Sequence, residues 1–250
     1  MAMLASASAA YAAGDNNYAG TAFSFSKGAG TKSHPVGVSF KETLKAKNND
    51  ATKAAAVLTN IKTKIYGLVN NGQYFPTCSG SKMLAQKSDK FCPKKSKSAS
   101  GFVNSLLGGT SLALSKTTAC NPDLDSFNAG KNKLWFFFTT HSALQCNGLT
   151  TGATAPWQGR ISYQGKYEVL NVPLPIDIST QVAGITNLYG SLIKQQLNWY
   201  KYSTKVKGKT VYNNASIGCL HGKRPWSVTF TSTTNGSNRQ TGTVSGSAKC

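Results

Sequence analysis

The stretch FPTCSGSKMLAQKSDKFCPKKS, residues 75–96, is the most informative part of the chain about its class of fold. It places Cys78 and Cys92 on either side of a short polar segment that runs into a lysine cluster. Zinc knuckles and thioredoxin-like redox pairs use a CxxC motif, which the chain lacks. A papain-like thiol needs a free cysteine beside a histidine, and an even number of cysteines leaves none spare. We therefore predict that a disulfide closes this stretch.

The six cysteines occur as three successive pairs along the chain. The pairs are Cys78 and Cys92, Cys120 and Cys146, and Cys219 and Cys250. Six cysteines can be connected in many ways, and the sequence alone does not choose among them. Bridges between neighbours are the simplest choice, and each would close a loop of roughly 15 to 32 residues. We expect three disulfides, which indicates an oxidising compartment.

The segment between the first two cysteines has the pattern of a short helix. Met83, Leu84 and Lys87 recur at helical spacing, and Ser79 or Ser81 can cap the first turn. The disulfide is then expected to clip this helix across its ends.

Strand patterns dominate the rest of the chain. Residues 22–26 and 36–41 alternate between apolar and polar side chains, as in a sheet with one buried face. The continuous apolar run at 134–138 is typical of a central strand that is buried on both faces. Residues 50–69 fit a helix as well as a strand, but their β-branched side chains and alternating lysines favour a strand.

These patterns predict a mainly β fold, specifically a jelly-roll-like β-sandwich with one or two short helices. A chain of 250 residues is long enough to bury a large core in one domain. Because we find no internal repeat and no linker rich in proline or glycine, we expect residues 14–250 to form a single domain.

The first 13 residues have features of the end of a secretory leader. Ala10-Tyr11-Ala12 is a small-x-small cleavage pattern followed by polar residues, although no positive charge precedes Lys27. The chain contains no run of about twenty apolar residues, so we predict no transmembrane helix. Together with the cysteines, this predicts a secreted or cell-surface protein.

Several of these motifs, taken together, resemble those of a known group of proteins. They are FPTCSGSKMLAQKSDKFCPKKSKSASG (75–101), NKLWFFF (132–138), NVPLPI (171–176) and IGCLHGKRPWSVTFTS (217–232) with the terminal cysteine. Over most of residues 36–250, the chain resembles a group of secreted actinobacterial proteins of uncharacterised function. The resemblance implies export and a disulfide-containing β-sandwich, but its motifs are structural and imply no activity.

Charge is the most unusual feature of the composition. The chain has 28 Lys+Arg against 8 Asp+Glu, a net charge of +20, and nearly all of its cations are lysines. Lysine acts as a hydrated point charge, whereas arginine reads phosphate or guanine through a planar fork. The composition therefore favours diffuse attraction to anionic polymers over sequence-specific binding of nucleic acid. The alternative is that the lysines simply keep an extracellular protein soluble.

Two segments provide the candidate binding residues. In residues 199–209, lysines interleave with aromatic residues, and on one continuous strand the lysines would share a face. Residues 94–97 add a loop cluster. The predicted binding residues are Lys94, Lys95, Lys97, Lys201, Lys205, Lys207 and Lys209. The competing interpretation is an ordinary solvated strand face with tyrosines in the core. Trp157 and Trp226 are candidates for stacking on sugars.

Signals for catalysis are sparse, and we predict no catalytic residues. The best arrangement for a secreted hydrolase would combine His141 with Asp123 and Asp125, or with Asp177. We favour a turn for the two neighbouring aspartates and a structural hydrogen bond for the histidine. Because no HExxH, HxH or phosphate-loop motif occurs, we predict no metal and no cofactor.

The sequence thus favours a non-catalytic structural or adhesive protein of the cell surface or extracellular matrix. In one version it assembles into filaments, because the strand-like segment 18–26 could add to a neighbour's sheet edge through Tyr18, Phe23 and Phe25. The expected partner is then another copy of the chain. The alternatives are a module that binds an anionic cell-envelope or extracellular polymer and a hydrolase of a polymeric substrate.

Overall fold

Antiparallel strands make up most of the structure. A computed structural model describes residues 8–11, 14–108, 113–148, 152–176, 189–234 and 237–250, with only the backbone of 8–11 and 237. The strands in this part of the chain are β1 (Ser8–Tyr11), β2 (Asn16–Asn17), β3 (Ala22–Phe25), β4 (Val36–Gly37), β5 (Phe40–Lys45), β6 (Lys47–Asn48), β7 (Val57–Tyr66), β8 (Leu68–Asn70), β9 (Lys97–Leu107), β10 (Thr118–Cys120), β11 (Asp123–Asn128), β12 (Lys133–Thr139), β13 (Trp157–Gln164), β14 (Tyr167–Pro173), β15 (Gly190–Trp199), β16 (Ser203–Val206), β17 (Lys209–Tyr212), β18 (Asn214–Ser216), β19 (Lys223–Thr234) and β20 (Ser237–Lys249).

One long sheet organises the molecule. Its strand order is β1-β20-β19-β7-β14-β13-β12-β11-β9-β15-β5-β3, with β10 paired to β9, and neighbouring strands are antiparallel. The sheet curves until its ends approach each other, because Phe23 on β3 contacts Trp226 on β19 with ring centroids 5.0 Å apart. The predicted mainly β fold is confirmed, whereas this strand order does not confirm the finer expectation of a jelly roll.

Most predicted elements lie where their patterns indicated, but the alternating stretch 36–41 is divided between β4 and β5, which belong to different sheets. Helix α1 spans Gly80–Gln86, and the Ser79 hydroxyl accepts a hydrogen bond from the backbone N–H of Lys82 at 3.3 Å. The ambiguous segment 50–69 contains strand β7, and the apolar run at 134–138 lies in β12, between β11 and β13. Short 3₁₀ helices occupy Gly72–Tyr74, Lys94–Ser96, Leu114–Lys116 and Ala143–Cys146.

The cysteines form the three predicted bridges between neighbours. They are Cys78–Cys92, Cys120–Cys146 and Cys219–Cys250. The first clips α1, the second ties the end of β10 to a 3₁₀ helix, and the third fixes the C-terminus beside the start of β19. Within the described residues, no helix has the length and apolar character needed to cross a membrane.

The N-terminal segment packs into the core of its own chain. The Tyr18 ring stacks on Phe230 of β19, with centroids 4.1 Å apart and an interplanar angle of 5°. Tyr18 and Phe23 are both buried, and Phe25 packs against Phe40 with centroids 5.2 Å apart. β3 pairs along one edge with β5. Two of the three aromatic side chains predicted to mediate assembly are therefore core residues of the same chain, because closing the sheet requires an apolar layer at this seam.

Two carboxylic acids are buried inside the curved sheet. Glu42 on β5 accepts hydrogen bonds from Gln195 Nε2 at 3.1 Å and from the Trp199 indole N–H at 3.0 Å. Glu168 on β14 is likewise buried, and Arg224, which is fully buried, donates to the carbonyl of Tyr66 at 2.7 Å. Burial raises the pKa of both glutamates from 4.5 to about 7, because an ionised carboxylate loses its hydration in the core.

The stacked position of Tyr18 predicts how two substitutions differ. Tyr18→Ala removes the ring that covers Phe230, and we expect a loss of about 3 kcal/mol in the free energy of unfolding. Tyr18→Phe keeps the stack but loses the hydroxyl contacts with Asn16 and Ser232, so it should cost only about 1 kcal/mol. Urea unfolding measures both values.

Sedimentation of the same variants tests the assembly role. If Tyr18 is a core residue, wild type and Tyr18→Phe should sediment alike at low and high salt. A Tyr18→Ala variant with wild-type stability but altered assembly would contradict the core assignment.

The buried glutamates predict a pH dependence of stability. Their folded pKa lies above the unfolded value, so the folded state holds more protons, and the free energy of unfolding should fall as pH rises from about 4.5 to about 7. Each group accounts for a loss on the order of 3 kcal/mol across this window. Glu42→Gln should remove its share, giving a flatter profile in urea unfolding at several pH values. Identical profiles for Glu42→Gln and wild type would contradict the assignment.

Candidate polyanion-binding surface

Two lysine-bearing segments that are far apart in sequence meet on the surface. The ammonium group of Lys95, in the 3₁₀ helix at Lys94–Ser96, donates a hydrogen bond to the backbone carbonyl of Ser203 at 3.0 Å. Ser203 begins β16, the first strand of a hairpin with β17. The loop cluster therefore lies against the first strand of the hairpin that carries the other lysines. We call Lys94, Lys95, Lys201, Lys205, Lys207 and Lys209 the lysine surface; all six are exposed.

The hairpin turns at Lys207 and Gly208, and this corrects one prediction. Lys207 has φ 48° and Gly208 has φ 77°, as in the two-residue turns that match the twist of a hairpin. The register pairs Lys205 with Thr210 and Val206 with Lys209. Since paired residues point to the same side, Lys205 and Lys209 lie on opposite faces rather than on one. The prediction assumed one continuous strand, whereas the turn returns the chain and presents lysines around the hairpin.

Asparagine side chains hold the base of the hairpin. Asn213 Nδ2 and Asn214 Nδ2 donate to the carbonyl of Tyr200 at 3.0 Å and 2.9 Å, and Asn213 Oδ1 accepts from the backbone N–H of Tyr202 at 2.6 Å. The Tyr200 and Tyr202 rings lie 5.8 Å apart and are half-buried. The asparagines thus hold the hairpin through the backbone of the two tyrosines, whose rings are only half-buried, while the lysines remain in solvent.

Within the described ranges, the lysines that form ion pairs are Lys53 and Lys97. No lysine of the lysine surface therefore has an acidic partner in this part of the chain. Lys205 Nζ instead donates to Thr210 Oγ1 at 2.8 Å across the hairpin. Because no carboxylate of the described residues pairs with these cations, this surface can attract a polymer that carries repeated negative charges.

Lys97 has a different role from the other predicted binding lysines. Its ammonium group lies 2.9 Å from Asp89 Oδ2 and 2.7 Å from Asp125 Oδ2. The Lys97 side chain is 31% exposed and that of Asp125 only 15%, so the cluster is largely shielded from water. The two carboxylates neutralise Lys97, and we remove it from the candidate surface. No local signal identifies this, because its partners lie on a loop and on a neighbouring strand.

The residues considered for hydrolysis meet only in part. His141 Nε2 lies 3.3 Å from Asp123 Oδ2, but their side chains are 72% and 41% exposed. Asp125 is engaged with Lys97, and Asp177 lies outside the described residues. A contact so open to solvent encloses no substrate among the described residues, so its geometry is that of a surface contact.

The two tryptophans considered for sugar stacking belong to the interior. Trp157 is 7% exposed and Trp226 is 5% exposed. Trp157 packs against Phe136 and Phe138, and Trp226 against Phe23. Neither ring presents a face to solvent on which a sugar could stack, because both side chains point to the enclosed side of the main sheet.

Comparison of the chain with protein-family models, with curated proteins and with solved structures finds no match. Its function is therefore argued from its own geometry.

The ion-pair cluster predicts that Lys97 is a structural lysine. Lys97→Met leaves two partly buried carboxylates without a cation, and we expect a loss of about 1–2 kcal/mol in the free energy of unfolding. The exposed Lys94 provides a matched control, because Lys94→Met should change stability by less than about 0.5 kcal/mol. Urea unfolding of the two variants makes the comparison. Equal stabilities would show that the cluster contributes nothing.

Proposed function

We propose that this chain is a non-catalytic, exported protein that binds an anionic extracellular or cell-envelope polymer through the lysine surface. The observation that carries the proposal is the contact between Lys95 Nζ and the carbonyl of Ser203, which joins the two lysine segments. Because six exposed cations lie on two adjoining elements, the binding free energy comes from many weak charge contacts. Such binding suits a repeating anion better than a single small one.

The remaining features of the chain support this proposal. The net charge of +20 draws polyanions from a distance, and the scarcity of arginine favours charge attraction over sequence-specific reading of nucleic acid. The three disulfides suit an oxidising, extracellular compartment. The exposed contact between His141 and Asp123 offers a hydrolase no enclosed site.

Self-assembly is the second candidate function. The observation in its favour is that β3 ends the strand order of the main sheet and, within the described residues, is hydrogen-bonded to β5 alone, although β20 at the other end of the sheet lies close to it. An unpaired edge can accept a strand from another copy. Against it, Tyr18 and Phe23 already serve the chain's own core. The proposal of polymer binding does not depend on assembly, and the sedimentation experiment on Tyr18 separates the two.

The test of polymer binding compares two variants that lose the same charge. The first carries Lys95→Gln, Lys205→Gln, Lys207→Gln and Lys209→Gln. The second carries four changes at exposed lysines on other elements, namely Lys47→Gln, Lys166→Gln, Lys223→Gln and Lys249→Gln. Each variant lowers the net charge from +20 to +16, since 20 − 4 = 16. Calorimetric titration with heparin and with neutral dextran measures binding.

The expected result is specific to the lysine surface. Wild type should bind heparin but not dextran. Its affinity for heparin should fall steeply with salt: by the duplex-DNA value, the logarithm of the binding constant decreases by about 0.9 per charge contact for each tenfold rise in salt concentration. The first variant should bind roughly 10-fold or more weakly at low salt and with a shallower slope. The second should bind much like wild type. Equal losses in both variants, or salt-independent binding, would overturn the proposal.

A further inference from the structure

The curved sheet encloses a cavity of about 100 Å³. Its walls come from the inward faces of β5, β7, β9 and β11 to β15, and they are mostly aliphatic and aromatic. Representative lining residues are Ile61, Leu124, Phe136, Trp157, Leu170 and Leu197. Native cores contain few voids larger than a water molecule, and an apolar void of about 150 Å³ binds benzene. The cavity is smaller than that void but of the same order, and its lining suits a molecule built on no more than one small ring.

One end of the cavity lies where β14 ends and β15 begins. Leu174, Pro175 and Ile176, which directly follow β14, line this end together with Gly190 at the start of β15. Ile176 is 37% exposed, so this end is the part of the described lining that lies nearest to solvent.

A single acid interrupts the apolar wall. Glu42 lines the cavity and is 4% exposed. Each carboxylate oxygen accepts one hydrogen bond, from Gln195 Nε2 and from the Trp199 indole N–H, which leaves each oxygen able to accept another. Within the described residues no cation lies within ion-pair distance of Glu42. A buried acid without a cation is costly for a fold, and glutamine could make similar contacts.

A second polar group belongs to the same lining. Trp157 is 93% buried, since its exposed fraction is 7%, and its indole Nε1 has no hydrogen-bond partner among the described residues. That atom is itself fully buried, as are the unpartnered polar atoms of Ser126, Glu168, Arg224 and Trp226, so it carries no ligand contact. The Glu42 carboxyl is therefore the polar group of the lining to which a ligand hydroxyl can donate.

We propose that this cavity binds a small apolar molecule that carries one hydroxyl group, with the hydroxyl donating to the Glu42 carboxyl. The apolar walls select a single ring or a short hydrocarbon by size. Glu42 distinguishes the hydroxylated molecule from a hydrocarbon of equal size, because a purely apolar cavity disfavours any hydroxyl that it cannot pair. This binding site is separate from the lysine surface and does not depend on polymer binding.

The test uses phenol and toluene, which have the same number of heavy atoms and differ in the hydroxyl. Binding is measured by calorimetry and by the ligand-induced rise in melting temperature, on wild type and three variants. Glu42→Met removes the carboxyl acceptor, whereas Glu42→Gln keeps a side-chain oxygen. Leu192→Phe adds volume at the cavity wall. Toluene binding by Glu42→Met would show that this variant folds with its cavity intact.

The expected results distinguish binding in the apolar cavity from the hydrogen bond to the Glu42 carboxyl. Wild type should bind phenol saturably and at least as tightly as toluene. Glu42→Met should lose at least tenfold in phenol affinity but keep its toluene affinity, and Glu42→Gln should retain most phenol binding. Leu192→Phe should weaken both ligands. The proposal is overturned if wild type binds neither probe, if it prefers toluene, if Glu42→Met keeps phenol binding, or if Leu192→Phe leaves both affinities unchanged.

Discussion

The seam between the N-terminal segment and β19 is the contact on which the interior of this protein depends. The stack of Tyr18 on Phe230 and the contact of Phe23 with Trp226 bring the two ends of a long antiparallel sheet together. An open sheet of this length would leave a large apolar face in water, so closing the seam buries that face and offsets the entropy lost on ordering the chain. The enclosed space, its buried acids and its cavity all follow from this closure.

Closure also separates the two kinds of chemistry that the chain offers. On the outside, the lysines stay in solvent, and the contact of Lys95 with Ser203 joins the two segments that carry six of them. Inside, Glu42 is held by a glutamine and a tryptophan rather than by a cation, so burial governs its pKa. A polymer with repeated charges can use only the first environment, and a small apolar molecule only the second.

Much of the fold was predictable because it follows from short-range patterns. The helix at Gly80–Gln86 follows from its serine cap and helical spacing, and β7 from its β-branched residues. The disulfides join neighbouring cysteines, which is the simplest pairing available to a chain of short connections. The strand order was not predictable, since alternation within a strand identifies its buried face but not the strand beside it.

The candidate site was predictable only as a set of residue types. The sequence by itself determined the excess of lysine, the exposure of the hairpin lysines and the absence of a complete catalytic motif, because these are properties of composition and local pattern. Only the tertiary structure decided that Lys95 reaches Ser203, that Asp89 and Asp125 neutralise Lys97, and that Glu42 and Trp157 line one cavity. The physical reason is that these contacts join residues whose separation is set by strand order and register. Strand order and register arise from packing of the whole core, and no local stretch of sequence contains that information.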